Sequence, residues 1–144
     1  MPDVILASLD ATEALAAQVA AQVRPGDAIL LQGPLGAGKS TFARAFLRAA
    51  SGDPAMEVPS PSYTLVQSYE TKHGSIHHFD LWRLDGPGAV TELGWDELTQ
   101  DIVLVEWPER LGDLWPQGAL EIQFLPEGED IRHARISGWE GRTL

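Results

Sequence analysis

Eight consecutive residues constrain the fold of this chain more than any other feature. They match the pattern G-x-x-x-x-G-K-[ST] at every fixed position and are Gly33, Pro34, Leu35, Gly36, Ala37, Gly38, Lys39 and Ser40. The apolar run at residues 28–31 predicts a buried strand before them, and apolar residues at helical spacing within residues 41–50 predict a helix after them. A glycine-rich loop between a strand and a helix predicts a phosphate-binding site rather than an incidental turn.

The spacing of this loop suits the binding of an anion. Glycines leave room for successive backbone N–H groups to point at a phosphate. The helix that begins at the end of the loop directs its positive dipole end at the same place. We expect Lys39 to reach the β- and γ-phosphates of a nucleotide and the Ser40 hydroxyl to bind Mg²⁺.

Residue types that the chain lacks narrow the choice of nucleotide and of reaction. A guanine-specific switch usually carries an Asn-Lys-x-Asp motif, and the chain contains no asparagine, so ATP is favoured by elimination. A small-molecule kinase needs a lid whose arginines clamp the transferred phosphate. No arginine pair flanked by glycines is present to supply one.

The charge of the chain bears on its partners. With 21 acidic and 10 basic residues the formal net charge is −11, and a surface this acidic repels nucleic acid and anionic lipid. Any role in a nucleic-acid pathway is therefore expected to depend on a protein partner.

The length of 144 residues suits one domain, residues 1–144. Without cysteine, an apolar run of membrane-span length or a signal-peptide layout, we expect a cytoplasmic protein with no membrane partner.

Strand and helix patterns alternate along the chain. They predict an α/β three-layer P-loop NTPase fold with a central mixed, mostly parallel sheet. The first helix is expected to have Asp10 as its N-cap and Glu13 at the third helical position. The predicted strands are residues 4–6, 28–31, 65–69, 75–81, 101–106, 119–124 and 131–139, and the predicted helices lie within residues 10–26, 41–50, 86–100 and 108–115.

Two carboxylates follow predicted strands and are candidates for holding Mg²⁺ or positioning the attacking water. Glu106 ends the most apolar strand, and Asp80 ends a less apolar one. Either residue could instead simply mark the end of its strand. His77 and His78 are adjacent on a strand and must point to opposite faces, which argues against a shared transition-metal site with Asp80.

Further candidates have two open interpretations each. Hydroxyls within residues 60–64 could sense the γ-phosphate or could only close turns in a proline-stiffened connection. Trp107, directly after Glu106, could pack near the nucleotide or be an ordinary core or rim tryptophan. The other tryptophans, Trp82 among them, are expected to be packing residues.

Several pieces of the chain occur together, in order, in one known family. Besides the phosphate-binding loop they are S-P-S-Y-T-L-V at residues 60–66, H-F-D-L-W-R-L at residues 78–84, E-L-G at residues 92–94 and V-E-W-P at residues 105–108. The chain thereby resembles the TsaE (YjeE) family, the ATPase of bacterial tRNA threonylcarbamoyladenosine synthesis. The resemblance extends from Thr12 to the final predicted hairpin, and the H-F-D-L and V-E-W-P pieces are specific to this family.

The resemblance implies a weak, Mg²⁺-dependent ATPase that docks on the TsaB–TsaD complex and supports its multiple turnover. The partners would hold most of the tRNA, so this chain would meet tRNA only indirectly. By the same resemblance Lys39 contacts the phosphates, Ser40 and Glu106 ligate Mg²⁺, and Asp80 is the catalytic acid. The further residues expected at the nucleotide are Thr12, Thr41, Ser62, Thr64 and Trp107.

The chain departs from the family pattern at three positions. Serine replaces the common threonine at Ser40 and Ser62, and Pro34 stands where the family often has aspartate. Both serines keep a hydroxyl, so the expected chemistry is unchanged.

Two other functions remain open alongside the partner-activated ATPase. One is a small-molecule kinase on the same fold, whose ATP consumption would rise with an acceptor and need no protein partner. The other is a nucleotide-dependent binding module in which hydrolysis is incidental.

Overall fold

The computed structural model describes residues 3–34, 36–61, 63–126, 131–139 and 142. Its strands are Asp3–Leu6 (β1), Ala28–Gln32 (β2), Val66–Thr71 (β3), Gly74–Asp80 (β4), Ile102–Glu106 (β5), Leu120–Pro126 (β6) and Arg132–Ser137 (β7). Its helices are Leu9–Gln22 (α1), Lys39–Ser51 (α2), Pro87–Thr91 (α3) and Trp95–Leu98 (α4), and a kinked 3₁₀ segment covers Pro108–Leu114.

The strands form one mixed sheet of seven strands in the order β1-β7-β6-β2-β5-β4-β3. The centre of the sheet is parallel: β2 pairs with β6 and with β5, and β5 pairs with β4. The pairs β1–β7, β6–β7 and β3–β4 are antiparallel. The predicted mixed sheet is confirmed, but its pairings are evenly divided, because both predicted hairpins add antiparallel strands outside the parallel centre.

Alternation along the central strands builds a core on each face of the sheet. Ile29 and Leu31 of β2 face one cluster with α1 and α2, whereas Ala28 and Leu30 face the other with α3, α4 and the 3₁₀ segment. A strand buried on both faces reads as a continuous apolar run, as residues 28–31 do. The predicted three-layer arrangement is therefore confirmed.

The first helix begins earlier than predicted. Ser8, not Asp10, is the N-cap, and its hydroxyl oxygen accepts a hydrogen bond from the backbone N–H of Ala11 at 3.3 Å. The prediction was wrong because a serine two residues upstream already has the extended backbone that an N-cap requires, so Asp10 lies inside the first turn. None of the helices in the described part of the chain has the length and apolar character needed to cross a membrane.

Candidate functional site

The glycine-rich loop connects the end of β2 to the start of α2. Gly33 and Gly38 have φ angles of 142° and 111°, in the region that favours glycine. A Cβ atom at Gly33 would lie 2.6 Å from the carbonyl oxygen of Phe124, so a side chain has no room there. Gly38 is the N-cap of α2 without any side-chain cap, so the first N–H groups of α2 are left for another acceptor.

Two neighbouring strands deliver the predicted carboxylates to the same edge of the sheet. Asp80 ends β4 and Glu106 ends β5, and the two residues are register partners in this parallel pair. Both are largely buried, with 7% and 4% of their surface exposed. The backbone N–H of Trp82 donates to Asp80 Oδ1 at 3.1 Å, which orients that carboxylate. Asp80 and Glu106 therefore lie side by side because β4 pairs with β5.

Glu106 connects the start of α2 to the middle of β4. Ser40 Oγ donates to Glu106 Oε1 at 3.2 Å, and the Nε2 atom of His78 lies 2.7 Å from Glu106 Oε2. Alternation along β4 places His78 and Asp80 on the face that α2 covers. Ser40 Oγ and Glu106 Oε1 thus form a pair of oxygen ligands of the kind that Mg²⁺ prefers.

Lys39 is folded back against its own loop. Its ammonium group donates to the carbonyl oxygens of Gly33 and of Pro34, the latter at 3.2 Å. The same Nζ atom lies 3.9 Å from the ring centre of Trp107, a cation–π contact. Burial lowers the pKa of Lys39 below its usual 10.5, while the carboxylates of Glu106, Glu109 and Asp80 act in the opposite direction.

The lowered pKa of Lys39 is open to direct measurement. In a Lys72→Arg variant Lys39 is the sole lysine, and its ¹³Cε resonance is expected to titrate with a midpoint below 10.5. Glu106→Gln is expected to lower that midpoint further, because it removes an anion that favours the ammonium. Between the folded and unfolded pKa values the unfolded chain binds more protons, so this group's contribution to stability rises with pH across that window. A midpoint at or above 10.5, or an upward shift in Glu106→Gln, would contradict this account.

A pocket of about 220 Å³ brings these groups together. Nine of the predicted site residues line it: Pro34, Gly36, Gly38, Lys39, Ser40, Thr41, Asp80, Glu106 and Trp107. Trp107 has a φ angle of 61°, a conformation uncommon for a bulky side chain, and this turn separates β5 from the 3₁₀ segment. The pocket thus combines the positive end of a helix, a buried lysine and two carboxylates.

The remaining predicted residues have different placements. Gly33 and Ala37 belong to the loop without lining the pocket. Thr12 is buried in α1, and Thr64 is exposed and accepts a hydrogen bond from Gln67 Nε2 at 3.0 Å; neither lines the pocket. Leu35 and Ser62 lie outside the described residues.

Three side chains at this site had no predicted role there. Arg132, at the start of β7, lines the pocket and donates from Nη2 to the carbonyl oxygen of Gly36 at 3.2 Å. Trp82 was expected to be a packing residue, yet it also lines the pocket, with its ring centre 4.5 Å from that of Trp107. The third side chain is that of His78, which reaches the site through its contact with Glu106. The positive charge of Arg132 was the one feature of the sequence that could have indicated a role in binding phosphate, since the chain has only two lysines.

The neighbouring histidines point to opposite faces of β4, as predicted. His77 Nδ1 lies 2.8 Å from Ser68 Oγ, and its Nε2 lies 2.9 Å from Asp101 Oδ2. His78 instead contacts Glu106 beside α2. Among the described residues no group of three or more His, Cys, Asp or Glu side chains is arranged to hold a metal.

The fold and the site together define a class: an α/β protein with a glycine-rich loop of the G-x-x-x-x-G-K-[ST] pattern after a central strand and carboxylates on the adjacent strand ends. A model of the family described as threonylcarbamoyl adenosine biosynthesis protein TsaE matches residues 6–135. The chain therefore belongs to the TsaE family.

Curated relatives agree with this assignment, and a solved structure shares the fold. The proteins named tRNA threonylcarbamoyladenosine biosynthesis protein TsaE from Aquifex aeolicus and Rickettsia bellii are 37% and 35% identical to this chain. The matches cover 94% and 92% of this chain and 96% and 92% of those relatives. The crystal structure of YdiB from Bacillus subtilis superimposes with a TM-score of 0.78 at 28% identity, covering 98% of this chain and 87% of YdiB.

Proposed function

We propose that this protein is a P-loop NTPase that binds Mg-ATP and hydrolyses it slowly. The observation that carries the proposal is that Lys39, Ser40, Asp80 and Glu106 meet in one pocket at the end of the sheet. A positively charged group, a helix N-terminus and a pair of oxygen ligands are the parts that phosphoryl-transfer sites share. Membership of the TsaE family supports the same conclusion.

The residues present fit a hard cation beside a nucleotide. Ser40 and Glu106 would hold Mg²⁺ because both offer oxygen and already lie in contact at 3.2 Å. When bound, Mg²⁺ neutralises negative charge on the phosphates. Lys39 would exchange its loop carbonyl partners for the β- and γ-phosphates, and Asp80 would orient the attacking water or accept its proton.

The nucleotide base and ribose are assigned to residues around the same loop. Trp107 would lie beside the nucleotide, since its ring already contacts the Lys39 ammonium. Thr41 lines the pocket on the helix side. Thr12 and Thr64 would contribute hydroxyls although they do not line the pocket, and Ser62 would contribute another. The assignment of Thr12 rests on the family resemblance alone.

The biological role that we propose is support of tRNA N6-threonylcarbamoyladenosine modification in the cytoplasm. The relatives from Aquifex aeolicus and Rickettsia bellii carry that pathway in their names. We assign the ATP cycle to the TsaB–TsaD complex, where it would allow repeated turnover. The net charge of −11 supports binding to a protein partner, with tRNA met only through the complex.

Phosphate release from Mg-ATP tests this proposal. We expect slow release that increases when the purified TsaB–TsaD pair is added and that falls to background in Lys39→Ala, because that variant loses the ammonium facing the phosphates. The matched control is Lys72→Ala, which removes the other lysine, an exposed one in the turn between β3 and β4, and should leave release unchanged. Release that is indifferent to TsaB–TsaD but rises with a small acceptor would favour a kinase and overturn the proposed role.

A further inference from the structure

The carboxylate of Glu106 is held from two sides, and only one side belongs to the phosphate-binding loop. Ser40 Oγ donates to Oε1, whereas Oε2 lies 2.7 Å from His78 Nε2. The His78 and Glu106 side chains are 3% and 5% exposed, so this contact is largely shielded from bulk solvent. It is the shorter of the two contacts and the more deeply buried.

The direction of this hydrogen bond follows from its chemistry. An ionised carboxylate can only accept, so Nε2 of His78 carries the donated proton. The other ring nitrogen, Nδ1, is buried and has no hydrogen-bond partner within the described residues. Within the described part of the chain, Glu106 is therefore the one polar partner of the ring. A small cavity of about 30 Å³ borders both His78 and Glu106, which is room for a water molecule.

We propose that His78 is a positioning residue for the magnesium site. Its Nε2–H holds Oε2 of Glu106 and so keeps Oε1 turned toward Ser40 and the start of α2. A carboxylate fixed by one oxygen loses less rotational freedom when the other oxygen coordinates a cation, and partners that orient metal ligands commonly change metal affinity by about 10–100-fold. This inference rests on the proposed Mg-ATP function.

Two amide substitutions separate positioning from mere packing. A glutamine side chain places its amide nitrogen near the position of imidazole Nε2, whereas asparagine is one methylene shorter and cannot reach Glu106 from β4. His78→Gln should thus keep the bond that His78→Asn loses, although both remain polar and smaller than the ring. The matched control is His77→Asn, which alters the adjacent residue of the same strand on the opposite face of the sheet.

The readout is the Mg²⁺ dependence of binding to a fluorescent ATP analogue, measured without relying on hydrolysis. In EDTA, all three variants are expected to bind the analogue within about twofold of the parent protein, because the loop is intact. His78→Asn is expected to raise the Mg²⁺ concentration for half-maximal enhancement of binding by about tenfold or more. His78→Gln should recover it to within about threefold of the parent value, and His77→Asn should leave it unchanged.

The outcomes distinguish this inference from the proposed function. If the parent protein binds no ATP analogue with or without Mg²⁺, the proposed function fails and the inference fails with it. If the parent binds Mg-ATP and folded His78→Asn keeps the parent Mg²⁺ dependence, the inference alone is overturned.

A measurement on the parent protein covers the case in which His78→Asn does not fold. Long-range ¹H–¹⁵N spectra should show a proton on Nε2 of His78, and Glu106→Ala should shift that nitrogen resonance. A His78 ring protonated only on Nδ1 would overturn the proposal.

Discussion

Asp80→Ala is expected to reduce ATP hydrolysis by about 100-fold or more while ATP affinity stays within a few-fold of the parent value. General acid–base groups and residues that position water contribute rate factors of about 10²–10⁴. Asp80 is suited to such a role because its carboxylate lies at the end of β4, is only 7% exposed and is oriented by the N–H of Trp82. Single-turnover phosphate release, together with equilibrium binding of the ATP analogue, measures the two quantities separately.

The control for this prediction is an aspartate outside the pocket. Asp96 is exposed on α4, and Asp96→Ala should leave both hydrolysis and binding unchanged. Hydrolysis by Asp80→Ala at the parent rate would remove Asp80 from the mechanism. If the variant binds ATP, does not hydrolyse it and still supports repeated tRNA modification, the protein is a nucleotide-dependent binding module instead of an ATPase that resets its partners.

Gly138→Ala is expected to lower the free energy of unfolding by about 4 kcal/mol or more, an unusually large effect for a single methyl group. Its φ angle is 93°, and a Cβ atom would lie 2.0 Å from the carbonyl oxygen of Ala119 and 3.3 Å from Cα of Leu120. These obstacles are backbone atoms that lead into β6, so relief of the clash requires the end of β7 to move away from its neighbour. Urea denaturation at equilibrium measures the loss.

Gly52→Ala separates the clash from the strain of a positive φ angle. Gly52 has a φ angle of 68° at the C-terminus of α2, and a Cβ atom there would meet nothing within 4 Å. We expect a loss of about 1–2 kcal/mol, which is the cost of a left-handed conformation for an L-residue. Equal losses in the two variants would show that crowding against Ala119 has no part in the effect.

The parts of the fold that could be predicted depend on local patterns. The strand at residues 28–31 and the helix at residues 41–50 were recognised because apolar spacing and a glycine-rich loop are properties of neighbouring residues. The predicted N-cap of α1, Asp10, was wrong. Two polar residues, Ser8 and Asp10, stand close together in the sequence, and the extended backbone at Ser8 makes that residue the N-cap. The proportion of parallel pairing was overestimated because strand order is a long-range property.

The candidate site shows the same division. Glu106 and Asp80 could be proposed because an acid after an apolar strand is visible in the sequence, and the parallel pairing of β4 with β5 brings them together. Arg132 could not be placed, because its approach to Gly36 depends on the position of β7 beside β6 and of β6 beside β2. The roles of all the site residues remain predictions, and Thr12 and Thr64 in addition do not line the pocket.

The sequence by itself determined the glycine-rich loop with its lysine and hydroxyl, the acids that end two strands and the resemblance to one family. These features depend on residue type and on short spacings, which a chain carries before it folds. Only the tertiary structure decided that His78 contacts Glu106, that Trp82 lies against Trp107 and that Arg132 reaches the loop. Such contacts join strands and turns that are far apart in the chain. The order of strands in the sheet determines which of them meet, and no local pattern of residues encodes that order.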